Sequence, residues 1–82
     1  MSKRTYRIEV SAELSRIEAK RLELKISHED LYIAAGIARS TYYGMRASGL
    51  AFQSKLQALR YGLRTAEQRL RNAERLFDGS EA

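Results

Sequence analysis

Cysteine, proline and tryptophan are absent from this 82-residue chain, and His28 is its only histidine. Without cysteine there is no disulfide scaffold, no thiolate zinc site and no cysteine nucleophile. One histidine excludes a His-rich metal site. Without proline, ring chemistry breaks no helix. Punctuation falls to Gly36, Gly44, Gly49, Gly62 and Gly79. No apolar run approaches the roughly 18–20 residues of a membrane span. No apolar stretch follows a basic N-terminus, so no secretory signal is expected. The expected compartment is a bacterial-type cytoplasm. There is no phosphate loop and no metal-spaced ligand set, and no base stands beside a serine or threonine. The chain is not expected to be an enzyme, and no cofactor or small-molecule ligand is expected.

Charge is what the chain does have. Fifteen Lys+Arg stand against 10 Asp+Glu, a formal charge of +5. Apolar residues at 44% and charged residues at 30% suit a globular chain of one domain. So short a chain buries a modest core, and a dimer would add buried surface. From Leu31 to Ala66 the charges are Arg39, Arg46, Lys55, Arg60 and Arg64, with no acid among them. The acids sit in the flanks. A single-sign middle on a mixed chain suits phosphate binding.

In residues 5–10, Tyr6, Ile8 and Val10 alternate with Arg7 and Glu9, the period of a short strand. Such a strand needs a partner, which would be another chain or its own copy across a dimer axis. A frayed tail or an extra turn of the first helix is the alternative. Ser11 can cap a helix from Ala12, and Leu14, Ile17, Arg21 and Leu24 then share one face. Ser27 with Asp30 resembles a capping box for a second helix over 28–35, ended by Gly36. A third short helix over 39–47 precedes Ser48-Gly49. Beyond it, Phe52, Leu56, Leu59, Leu63, Ala66, Leu70, Ala73 and Phe77 follow a heptad spacing. Either one helix runs from 52 to 77, or two are broken near Gly62 with Thr65 and Gln68 capping the second. The break at 62–65 is the preferred reading, although a glycine costs a helix interior only about 1 kcal/mol.

Residues 27–49 thus give a short helix, a tight glycine turn and a second short helix. Leu31, Ala35, Ile37, Tyr42 and Met45 form the buried set, and Arg39, Ser40 and Tyr43 face outward. A glycine in the turn lets two short helices cross steeply, and the second can then enter a major groove.

Residues 14–63 resemble the Cro/cI-type phage repressors, the XRE-like helix-turn-helix family. That family runs Ile-x-x-x-Arg, then Ser-x-x-x-Leu-Ala-x-x-Ala-Gly-Val-Ser-x-x-Thr-Ile. Here stand Ile17 and Arg21, then Ser27, Leu31, Ala35, Gly36, Ile37, Thr41 and Tyr42. The resemblance places His28 where the family has a phosphate-contacting Gln; a solvent-exposed helix start is the alternative. By matched position it implies Arg39 as the best base reader, since a guanidinium forks onto guanine N7 and O6, with a phosphate contact or idle surface charge as the alternative. Ser40 would touch a base or a phosphate, and Tyr43 would stack on sugar or touch a thymine methyl, with a partly buried ring as the alternative. Arg46, Ser48 and Lys55 flank the loop and the next helix start, suited to phosphate contacts that set register. Tyr32 departs from the family's Ala, so the turn opens or the ring escapes to one side. Ala38 replaces the usual capping Ser. Arg46 stands where a Glu often pairs with the first-helix Arg, so Arg21 needs another acid. Gly44 occupies a base-reading position, which shifts reading toward Arg39, Ser40 and Tyr43.

The expectation is an all-α, compact helix-turn-helix domain of four to five helices, with an optional N-terminal strand. One domain spans 1–82, with its core at 12–63 and an amphipathic C-terminal helix at 65–78. Leu63, Ala66, Leu70, Ala73 and Phe77 are its expected dimer face. The expected function is a homodimeric regulator that reads a palindromic site in double-stranded DNA. What the resemblance implies is autoregulation of a phage, mobile-element or restriction-modification promoter. Two alternatives stand. One is a ribbon-helix-helix-like reader using 5–10 and Arg7. The other is a protein-binding antiactivator or antitoxin on a degenerate helix-turn-helix.

Overall fold

A computed structural model describes residues 6–80, with side chains described for residues 6–76. The order is β1 (Arg7–Glu9), α1 (Ser11–Leu24), α2 (His28–Ala35), α3 (Arg39–Ser48), β2 (Leu50–Phe52) and α4 (Gln53–Ser80). The described residues are mostly helical, with four helices and one small two-stranded sheet, which is consistent with the small all-α domain expected. Among the described residues, no helix is long and apolar enough to cross a membrane.

Local chemistry sets most of these bounds. Val10 is the N-cap of α1 and offers no side-chain cap, so Ser11 is the first helical residue rather than the cap. The Ser11 N–H instead donates to the Glu9 carboxylate at 3.2 Å. The Ser27 hydroxyl accepts from the Asp30 N–H at 3.0 Å and opens α2. Gly36 closes α2 in the left-handed region at φ 71°, and Gly49 closes α3 at φ 72°. Ala38 opens α3 with no side-chain cap.

The strand at the N-terminus forms, but its partner lies in its own chain. β1 pairs antiparallel with β2, with Arg7 opposite Phe52, Ile8 opposite Ala51 and Glu9 opposite Leu50. This corrects the expected pairing across a dimer axis. The cause is the turn at Gly49, which swings residues 50–52 back along 7–9, and the Val10 N–H donates to the Gly49 carbonyl at 2.9 Å. Thr5 lies outside the described residues.

The expected break at 62–65 does not occur, because α4 runs unbroken from Gln53 to Ser80. Gly62 serves a different purpose. A Cβ there would stand 2.6 Å from the Ala35 backbone N and 2.7 Å from its Cα. The glycine lets α4 lie directly on the backbone of α2. The core gathers where α1, α2, α3 and the first half of α4 meet, around fully buried Leu31, Tyr42, Leu59 and Val10. Ile17, Ile26, Ile37, Met45, Ala51 and Leu56 complete it, and Leu14, Leu24 and Ala35 pack against it. Leu63 and Ala66, two of the five residues of the expected dimer face, are half-buried and pack on this core. The Phe77 side chain lies outside the described residues. A 28-residue helix is about 42 Å long. It therefore outreaches the body, which explains the 59 × 27 × 20 Å extents.

Candidate nucleic-acid interface

α3 presents its surface by arithmetic. At about 100° per residue, Tyr42 and Met45 point inward, which sets Ser40, Gly44 and Ala47 near the opposite meridian. Tyr42 and Met45 are buried, and Ser40, Tyr43, Gly44 and Ala47 are exposed. The outward ridge of α3 is thus made of small residues. Gly44 has open space where a Cβ would stand. Arg39 and Arg46 lie on one flank of this ridge, and Thr41 and Ser48 on the other.

Of the expected base readers, Arg39, Ser40 and Tyr43 do share the exposed side of α3. The Arg39 guanidinium carbon lies 5.7 Å from the Tyr43 ring centroid. No ion pair holds Arg39 among the described residues. Tyr43 packs edge-on against Tyr42, with centroids 5.0 Å apart. Tyr32 did not force the turn open. Its ring escapes to one side and leans on Tyr42 at 5.4 Å. Tyr32, Tyr42, Tyr43 and His28 form one aromatic cluster that stiffens the crossing of α2 and α3.

The expected phosphate contacts are brought to this surface unequally. His28 is half-buried, and its Nδ1 shares a 2.7 Å hydrogen bond with the Tyr42 hydroxyl. Burial first, then the nearby Arg21 and Arg46 charges, push the imidazole below its ordinary pKa. Burial also raises the Tyr42 phenol. Arg46 is not a free cation, because its Nη1 donates to the Glu18 carboxylate at 2.8 Å. The Ser48 hydroxyl is used inside the turn, donating to the Gly44 carbonyl at 2.9 Å and accepting from the Leu50 N–H at 3.1 Å. That occupies the group expected to meet phosphate. Lys55, in the first turn of α4, lines a groove with Ser40, Thr41 and Gly44 of α3.

Glu18 resolves the missing partner of Arg21. Arg21 is 8% exposed, inside an otherwise apolar face. Its Nε and Nη2 both donate to Glu18, and its Nη1 donates to the Ile26 carbonyl at 2.6 Å. Glu18 thus takes Arg21 from its own helix and Arg46 from α3. The hydrogen bonds from Arg21 chiefly, with those from Arg46, hold the Glu18 carboxyl at about 2, against burial that would raise it. The same pairing raises Arg21. One carboxylate therefore ties α1 to α3 and holds α3 against the body. The i, i+3 spacing of Glu18 and Arg21 was visible in the sequence; the reach of Arg46 across 28 residues was not.

Among the described residues, no group of three or more His, Cys, Asp or Glu could hold a metal ion. Comparison with family models, with curated proteins and with solved structures finds no match to this chain.

Proposed function

We propose that the protein is a sequence-specific, DNA-binding transcriptional regulator of the Cro/cI-like helix-turn-helix kind, acting as a homodimer on a palindromic site. One observation carries the reading. α3 exposes a ridge of small residues beside an unpaired Arg39, within a stretch from Leu31 to Ala66 that holds no acid. A B-DNA major groove is about 12 Å wide and admits one helix. Small residues on the outward ridge let a helix sit deep, and cations beside it meet the phosphate walls. Arg39, at the first turn of α3, is the base reader, with Ser40 and Tyr43 as neighbours. The Glu18 bridge and the aromatic cluster support the same reading, because they hold α3 rigid before binding. In the dimer the two α3 helices lie about 34 Å apart, one turn of duplex. The projecting half of α4, with Leu70, Ala73 and Leu76, supplies the contact between copies.

The protein-binding alternative keeps one specific support, the exposure of Leu70 and Leu76 on α4. The ribbon-helix-helix alternative has less, because β1 is already paired with β2 of its own chain. Selection from a pool of randomised duplexes separates these readings. Wild type is expected to enrich an inverted repeat, and Arg39→Ala is expected to lose the motif while still binding duplex. A pool with no enriched motif overturns the regulator reading and leaves the α4 face as the functional surface. A motif lost in Arg7→Ala but kept in Arg39→Ala moves the reader to the ribbon.

A further inference from the structure

The flank of α3 away from Arg39 faces the two-stranded ribbon across a groove of about 340 Å³, lined by Arg7, Ser40, Thr41, Gly44, Ser48 and Lys55 among others. We propose that this groove takes the sugar–phosphate backbone of one strand of duplex DNA, with Arg7 on β1 and Lys55 on α4 as its phosphate-binding cations. The proposal rests on the DNA-binding reading and adds to it a second contact, contributed by the ribbon.

Charge separates this groove from two others on the surface. The groove along α1 carries Glu18 with Arg46. The groove between α2 and α4 carries Asp30 with Lys25 and Arg69. The groove at the ribbon is lined by two cations and no carboxylate. Neither Arg7 nor Lys55 is held in an ion pair among the described residues. The nearest strand acid, Glu9, is engaged by the Ser11 N–H at the start of α1. Arg7 is also steadied. Its guanidinium carbon lies 5.5 Å from the ring centroid of Phe52, its cross-strand partner.

The placement fits the shape of a duplex. A major groove is walled by phosphates of both strands, and contacts to them fix the register of a helix lying in it. Arg39, the base reader, lies on one flank of the small-residue ridge. Arg7 and Lys55 lie on the other, where a phosphate wall would stand, brought there by two elements far apart in sequence. Arg46 is committed to Glu18 and Ser48 to its turn, so the ribbon supplies what those two do not. Gly44 lines the groove with no side chain, which lets a backbone come close.

The test is an anisotropy titration of the full chain on a mixed-sequence duplex, across salt from about 50 to 200 mM. Each phosphate contact contributes a slope of about 0.9 in log affinity against log salt. Arg7→Ala with Lys55→Ala is expected to lower the slope by about 1.8. Arg7→Lys keeps the charge and is expected to keep the slope. Arg16→Ala, an exposed cation of α1 held in no ion pair among the described residues, is expected to keep the slope. Far-UV circular dichroism of each variant separates lost contacts from a loosened ribbon. Folded Arg7→Ala/Lys55→Ala protein with the wild-type slope overturns the ribbon contact and leaves DNA binding standing. Wild type with no salt-dependent affinity for duplex overturns both.

Discussion

Gly44 and Gly62 both stand inside helices, and they should respond oppositely to the same substitution. By intrinsic propensity alone, glycine to alanine in a helix interior gains about 1 kcal/mol. At Gly44 the new Cβ meets nothing within 4 Å, so the gain is realised. Gly44→Ala is expected to stabilise by about 0.5–1 kcal/mol, which raises Tm by roughly 3–6 °C in a domain of this size. At Gly62 the new Cβ would stand 2.6 Å from Ala35 N, 2.7 Å from its Cα and 2.8 Å from its Cβ. The first two are backbone atoms and cannot turn aside, so α4 must lift from α2 by about 1 Å to reach ordinary contact. Overpacking of this kind costs about 1–3 kcal/mol, with backbone against backbone at the upper end. After the propensity gain, Gly62→Ala is expected to destabilise by about 1–2 kcal/mol and lower Tm by roughly 5–15 °C. Ala35→Gly should not rescue it, since the nearest atoms remain. Thermal melts by far-UV circular dichroism check this, run at one protein concentration because association would shift Tm. A melt raised equally in both variants would refute the close approach of α4 to α2.

Two further outcomes follow from the charge bridge and the apolar stripe. Glu18 is held at about 2 rather than 4.5, so its contribution is present above the unfolded value and lost as pH falls from 4.5 toward 2. That loss is on the order of 2–3 kcal/mol, and Glu18→Gln should flatten it in urea unfolding across the window; equal acid losses in both proteins would sink the assignment. Leu70 and Leu76 are exposed on α4, and Leu70→Glu with Leu76→Glu is expected to turn a sedimenting dimer into a folded monomer with weaker DNA binding. A wild type that sediments as a monomer at every concentration removes the dimer contact from α4.

What could be read from the sequence follows from how local each cause is. Ser27, Gly36 and Gly49 act on their immediate neighbours, so the start of α2 and the ends of α2 and α3 were legible to a residue or two. The buried set of α2 and α3 was legible because periodicity alone selects it. Leu31, Ile37, Tyr42 and Met45 are buried as the spacing predicts, and Ala35 is half-buried against α4. β2 was hidden because three residues, Leu50-Ala51-Phe52, are too few to show a period and sit between two helices. The sequence places Ser48 beside the loop, but not the turn into β2 that its hydroxyl builds. Gly62 announces itself as a breaker in the sequence, while the backbone it must admit does not. Lys55 is legible as a cation at the start of the last helix, whereas the position of Arg7 beside α3 depends on a strand pairing that no local pattern encodes.

The heptad stripe of α4 shows the same limit in one element. Its spacing is continuous from Phe52 to Phe77, yet it serves two purposes. Leu56 and Leu59 are core, and Leu63 and Ala66 pack on it. Near Glu67, which approaches Lys20 of α1 to 4.0 Å, the body ends. Beyond it, Ala73 and Leu76 are exposed, and Leu70 is exposed where it lines the groove beside Ile33. Periodicity reports that a stripe exists and not what covers it. The boundary between self and partner is set by where α1 and α2 run out of length. An N-terminal pair of helices of 14 and 8 residues cannot cover a helix of 28. Of the stripe beyond Glu67, Leu70 and Ala73 are uncovered, and Leu76 stands exposed one place off its spacing. Uncovered apolar surface of this kind costs solubility unless something seats on it. A second copy of the same stripe is the cover that the homodimer reading supplies, and it would hold two α3 helices at a fixed separation.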